Sequence, residues 1–251
     1  MKNETNLDKV KSVAKLFLHL DIDETQYSPA IVKHPFTDCG ITAIKDETGE
    51  YQTINLLEEK ALKRWRNVIE QMITESDSAY QIYMMITKPY AMVFLDHISE
   101  NLSSEDFSTI LSSAWIQSEN PHCDPNFTRK KLLGLFKKAE TRFLMDASEY
   151  EDYTNLDDML TVYRGVTSYN AKNIKALSWT LDPKTAEWFA HRFGEEGTVY
   201  EAQIDRKYVY ALFKGRNESE VIVDPRYLIN ITEKQDMNES MDENSCSIIL
   251  Q

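Results

Sequence analysis

Cysteine is scarce and poorly placed for cross-linking: Cys39, Cys123 and Cys246 are odd in number and far apart in a chain of 251 residues. That pattern excludes a disulfide framework and a zinc site built from closely spaced cysteine pairs, leaving reduced thiols as the expectation. Long apolar runs are also missing. No stretch approaches the roughly 20 residues a membrane helix needs, and Met1-Lys2-Asn3-Glu4-Thr5 opens no signal-peptide pattern, so a cytoplasmic protein without a membrane partner is expected. Cys246 is not fourth from the end, so the prenylation pattern fails. Cations are outnumbered, with 28 Lys and Arg against 41 Asp and Glu and a formal charge of −13. Phosphate binding rests on clustered Lys and Arg, so this balance excludes broad clinging to nucleic acid while leaving room for a local basic groove.

What is present is a globular chain. Its hydrophobic share of 42% can fill a real core, and its length suits one large domain or one domain with an accessory segment. In chain order, Leu16-Phe17-Leu18-His19-Leu20 reads as an apolar strand followed by Asp21-Ile22-Asp23-Glu24-Thr25. Pro29, Pro35, Gly40 and Gly49 punctuate a loop and a hairpin between Ser28 and Tyr51. Leu57, Ala61, Leu62, Trp65, Val68, Ile69 and Met72 then recur at helical spacing, with the basic residues largely opposite, which predicts a packed amphipathic helix. Core helices are expected on either side of Pro89, another from Ser104 to about Trp115 with Ser103 or Ser104 as its cap, and one more over Thr128 to Met145. His122 and Cys123 sit in a Pro- and Asn-rich turn, and two nearby donors do not make a metal site.

After an acidic linker, Asp146 to Asp158, the pattern turns to β. Met159 to Arg164 reads as a strand ending at Gly165, Leu177 to Thr180 as a short second strand, and Asp182-Pro183 as a helix start, since Asp caps free N–H groups and Pro tolerates the first helical position. Thr198 to Ile204 and Tyr208 to Phe213 alternate like strands, and Val221 to Val223 is another. Residues 233–251 are acidic, lack apolar period and are expected to be a disordered tail.

Two short acidic or mixed patterns carry chemistry. The first, Asp21-x-Asp23-x-Thr25 after an apolar run, resembles the opening motif of haloacid-dehalogenase-type phosphatases, and that resemblance implies a Mg²⁺-dependent phosphatase with Asp21 as nucleophile. No later acidic pair matching that family's metal motif ends a strand, since Asp157-Asp158 precede one.

The second pattern is longer. Tyr163-Arg164-Gly165, then Ser178-Trp179-Thr180 before a helix with Phe189-Ala190, then Glu218-Ser219-Glu220 before an apolar strand, resembles the Arg/Ser-Thr-Ser/Glu-x-Glu pattern of mono-ADP-ribosyltransferases, shared by many bacterial toxins and phage proteins. The middle motif departs from it, reading Ser-Trp-Thr, and the N-terminal half carries no motif of that family. The resemblance implies an α+β fold: a mainly helical accessory segment over 1–117, a split β-sandwich catalytic core over 118–232, and the tail. It implies NAD as co-substrate, bound by Arg164, Gly165, Ser178, Thr180 and Phe189, with Glu220, Glu218 and Ser178 catalytic and no metal required. The partner it implies is a macromolecular acceptor, most simply protein arginine, because family members with glutamate at both positions commonly modify arginine. Nucleic acid stays open as acceptor, since Lys214 and Arg216 precede the glutamates. A catalytically silent binding module of the same fold is the remaining alternative.

The chemistry of the residues agrees with those roles. Breaking the nicotinamide bond leaves an oxocarbenium-like ribose, and a fixed carboxylate lowers the barrier to that positive charge. Arginine offers rigid, always-charged donors to a dinucleotide's phosphates. Serine donates and accepts hydrogen bonds at once, so it can hold ribose and orient the glutamate. If Glu218 to Glu220 is extended, both carboxylates point to one face.

Overall fold

Short polar side chains start most of the helices. The computed structural model describes residues 4–234, apart from 29, 47, 119–124, 169, 171, 172, 195, 216 and 217. Two compact units divide at Leu144 and Met145. That boundary lies beyond the expected one at 117/118, because the segment after residue 124 packs with the first unit: the Trp115 and Phe136 rings meet edge to face at 5.0 Å, and the Glu140 N–H donates to Ser108 Oγ.

The first unit is mainly helical. Helix α1 (Leu7–Leu18) is capped by Asn6, whose side chain accepts the Lys9 N–H. The expected Leu16–Leu20 strand is therefore the end of a helix: Val10, Ala14, Phe17 and Leu18 recur at i, i+4, i+7 and i+8, and all are buried. Strands β1 (Asp23–Glu24), β2 (Ile31–His34) and β3 (Thr37–Cys39) form a small antiparallel sheet, and β4 (Ile41–Lys45) pairs with β5 (Tyr51–Asn55) as the expected hairpin. Helix α2 (Glu59–Glu75) follows, then α3 (Ala79–Tyr83), α4 (Ala91–Ile98) and α5 (Ser104–Gln117), the last capped by Ser103 as its sequence predicts. The single helix expected over 128–145 is two, α6 (Arg129–Lys138) and α7 (Thr141–Leu144), parted where Ser108 captures the Glu140 N–H.

A histidine is fully enclosed here. His34 sits at 1% exposure, its Nδ1 accepting the Phe36 N–H and its Nε2 facing the Leu18 carbonyl at 3.2 Å. One nitrogen must accept while the other donates, so the ring is neutral with its proton on Nε2. Burial pushes its pKa down to about 4, with the nearby Arg66 charge adding to the effect.

Among the described residues, the second unit is a six-stranded antiparallel sheet with two α-helices. The acidic stretch 146–158 is no linker but carries helix α8 (Ala147–Thr154), started by a reciprocal cap: Asp146 accepts the Glu149 N–H, and Glu149 accepts the Asp146 N–H. Then come β6 (Met159–Val166), β7 (Ser178–Thr180), α9 (Pro183–His191), β8 (Thr198–Asp205), β9 (Val209–Phe213), β10 (Glu220–Val223) and β11 (Ile229–Glu233). Spatial order is β11-β8-β6-β7-β10-β9, so the consecutive β8 and β9 are separated by three strands. β6 and β7 meet at one pair, Tyr163 opposite Thr180, which joins a β11-β8-β6 half to a β7-β10-β9 half. Glu233, the last residue of β11, and Lys234 fall in the expected acidic tail; residues 235–251 lie outside the described residues.

Each half has its own lock. Helix α9 lies so close to β6 that a Cβ on Gly165 would sit 2.2 Å from the Ala186 carbonyl oxygen and 2.5 Å from the Ala190 nitrogen, and Gly197 meets the helix as closely. Only glycine permits that approach. On the other side, α8 closes the outer edge of β9. Met145 Sδ receives the Leu212 N–H, Glu149 Oε1 receives the Lys214 N–H at 2.6 Å, and the Tyr153 hydroxyl donates to the Val209 carbonyl at 2.9 Å. Edge groups that would otherwise template another strand are thereby satisfied.

Candidate functional site

Register assembles the site. Tyr163, Thr180, Glu220 and Phe213 stand side by side on β6, β7, β10 and β9, while Ser178 is opposite Ile222. Ser178 is thus the diagonal neighbour of Glu220 on one face of an antiparallel pair, within reach of a long side chain. The Ser178 hydroxyl donates to Glu220 Oε1 at 2.5 Å, the short distance of a hydroxyl on a carboxylate. From β6, Arg164 donates through Nη1 to the Ser178 carbonyl at 2.6 Å. Three residues from separate stretches of the chain are in this way joined by two hydrogen bonds.

The surroundings are apolar. Val221, Ile222 and Val223 are wholly buried, as is nearly all of Trp179, whose indole N–H donates to the Ala176 carbonyl. Glu220, at 9% exposure, stands where this buried strand begins. A carboxylate there is shielded from water on the strand side, and charge interactions with it are stronger than at a solvated surface.

Glu218 and Glu220 do not follow the simple alternation expected of them. Ser219 between them has φ of +42°, in the left-handed region, so the segment is not extended and the two-residue rule that would set both carboxylates on one face does not hold. Two bonds hold this turn. The Thr180 hydroxyl donates to the Glu218 carbonyl at 2.5 Å, and the Leu181 N–H donates to the Ser219 carbonyl at 3.0 Å. Thr180 Oγ1 also accepts the Asp182 N–H at 3.0 Å, and Asp182 caps α9 by accepting the N–H groups of Lys184 and Thr185. Those bonds, led by the one from the Thr185 hydroxyl, hold the Asp182 pKa below the usual carboxylate range.

The other expected NAD contacts are placed differently. Gly165 and Phe189 meet each other at the α9–β6 interface, where the Phe189 ring touches Trp188 and lies 5.2 Å from the Arg192 guanidinium carbon. Trp188, on the outer side of the helix, is 62% exposed. Of the basic loop before the glutamates, Lys214 is tied to α8 through its N–H on Glu149 and its ammonium on Asp152. Arg216 and Asn217 lie outside the described residues.

Among the described residues, the first unit gathers no comparable group. Asp21 follows a helix and Asp23 lies on the exposed two-residue β1, so the strand-end geometry of a phosphatase nucleophile is absent there. Among the described residues, no three His, Cys, Asp or Glu are placed to share a metal ion. A groove of about 510 Å³ runs between the β4–β5 hairpin and α2, lined by Gln52, Asn55, Glu58, Lys60 and Arg64 among others, and no sequence pattern pointed to it. No described helix is long and apolar enough to cross a membrane.

The chain matches no protein-family model, no curated protein and no solved structure.

Proposed function

We propose that the second unit is a mono-ADP-ribosyltransferase, transferring ADP-ribose from NAD to an acceptor nitrogen with release of nicotinamide. The observation that carries this reading is the Arg164–Ser178–Glu220 chain of hydrogen bonds, which unites the three motifs by which the sequence resembles that family. In this reading NAD enters with its nicotinamide ribose against Glu220. The glycosidic C–N bond breaks, its electron pair leaves with nicotinamide, and the Glu220 carboxylate stabilises the positive charge left on the ribose. Ser178 keeps that carboxylate oriented. Arg164, fixed beside Ser178, offers its charge to the diphosphate. The acceptor nitrogen then bonds to the ribose carbon and gives up a proton to solvent, since the turn at Ser219 does not set the Glu218 carboxylate on the face that Glu220 holds.

Arginine of a protein is the acceptor that the charges favour. Lys214 is already paired with Asp152, which removes one of the two cations a nucleic-acid acceptor would have used. The test is nicotinamide release and transfer of labelled ADP-ribose to proteins of a bacterial lysate, comparing wild type with Glu220→Gln. Loss of about 10²-fold or more in the variant is the expected result, as for other removed electrostatic stabilisers. Equal behaviour of the two proteins, or partner binding without NAD binding, sinks the proposal and favours a silent binding module.

A further inference from the structure

Resting on that reading, we infer that Thr180 is a positioning residue whose hydroxyl latches the left-handed turn at Ser219 and so sets where the Glu220 carboxylate stands. Three observations converge on it. The hydroxyl is bonded at both ends, donating to the Glu218 carbonyl and accepting the Asp182 N–H. The next residue, Leu181, holds the Ser219 carbonyl, so consecutive residues at the end of β7 grip consecutive carbonyls of the turn. The turn itself needs such a grip, because a serine is disfavoured at φ of +42° and would relax towards ordinary extended backbone when released.

Relaxation would not stay local. Glu220 is the residue immediately after Ser219, and its bond to Ser178 depends on a diagonal register with β7. Flipping Ser219 to an extended conformation would restore the two-residue alternation, bringing Glu218 to the face that Glu220 holds and crowding two carboxylates together. Thr180 also joins this turn to the cap of α9, the helix seated on Gly165 beside Arg164. One hydroxyl therefore connects the segments that carry the arginine and the glutamate. The same length of side chain with a hydroxyl is available in serine, and the same shape without one in valine.

Thr180→Val, Thr180→Ser and wild type are to be compared by steady-state NAD cleavage and by hydrogen exchange at the Leu181 amide. In Thr180→Val, kcat is expected to fall by about tenfold or more with KM changed less than about threefold, and Leu181 exchange to quicken while β8 and β11 keep their protection. Thr180→Ser is expected to restore both. The inference is overturned if Thr180→Val matches wild type, if protection is lost across the whole sheet, or if serine fails as valine does. A wild type that cleaves no NAD defeats the transferase reading alone, and Leu181 exchange still decides whether the hydroxyl latches the turn.

Discussion

Ser178 and Glu220 are 42 residues apart in sequence and 2.5 Å apart as hydroxyl and carboxylate oxygens. A hydroxyl that donates to a carboxylate fixes which way that carboxylate faces, and costs little when the strands already hold both groups. Ser178→Ala is therefore expected to lower the rate of NAD cleavage by about 10- to 100-fold, less than loss of the Glu220 charge itself. The thermal midpoint should move by only a few degrees. A rate unchanged in Ser178→Ala, measured as nicotinamide release, would show that the serine does not orient the reacting carboxylate.

Gly165→Ala tests the seat of α9. The added methyl would lie well inside contact distance of two backbone atoms of the helix, neither able to swing aside as a flexible side chain could. Helix or strand must shift, and a loss of at least about 2 kcal/mol in urea unfolding is expected. On the transferase proposal NAD affinity should fall as well, because Arg164 is the adjoining residue.

Glu149→Ala tests the edge of the sheet. One oxygen of this 9% exposed side chain completes the α8 cap and the other receives the Lys214 N–H. Removing both should cost about 2–3 kcal/mol. It should also raise concentration-dependent association, readable by light scattering, because part of the β9 edge loses its cover.

His34 gives the first unit a pH dependence of known sign. The folded ring titrates near 4 and an unfolded one near 6.5, so the unfolded chain binds more protons between those values. Its contribution is fully present above pH 6.5 and is lost as pH falls towards 4, amounting to about 2–3 kcal/mol. Carboxylates titrate in the lower part of that window, so the measurement is a difference: urea midpoints of wild type against His34→Gln at pH 7 and pH 4.5. The variant is expected to lose less stability between the two.

Local signals were the most legible in the sequence. Ser103, Asp182-Pro183 and the apolar stripe of α2 announce helices that form where they should, because each rests on side-chain chemistry within one turn. Asp146-x-x-Glu149 announced α8 in the same way, but the density of acid around it reads as solvated linker unless the cap spacing is noticed. Leu16 to Leu20 misleads because a five-residue apolar run fits strand and helix alike, and only Val10 and Ala14 upstream restore the helical period. The site divides along the same line. That Arg164, Ser178 and Glu220 belong together was readable from their order, whereas the turn at Ser219 is imposed by hydrogen bonds from β7, which nothing within Glu218-Ser219-Glu220 foretells.

The order of the strands also sets a timetable. β10 inserts between β7 and β9, so the carboxylate reaches its serine only after the chain has run from Ser178 through Val223 and that last inner strand has paired. Contacts of such long sequence separation form late in folding. During synthesis the arginine and serine segments emerge first, and a chain stopped before Glu220 has no centre at all. Whatever this protein does with Glu220, it cannot begin before β10 has been made and has paired.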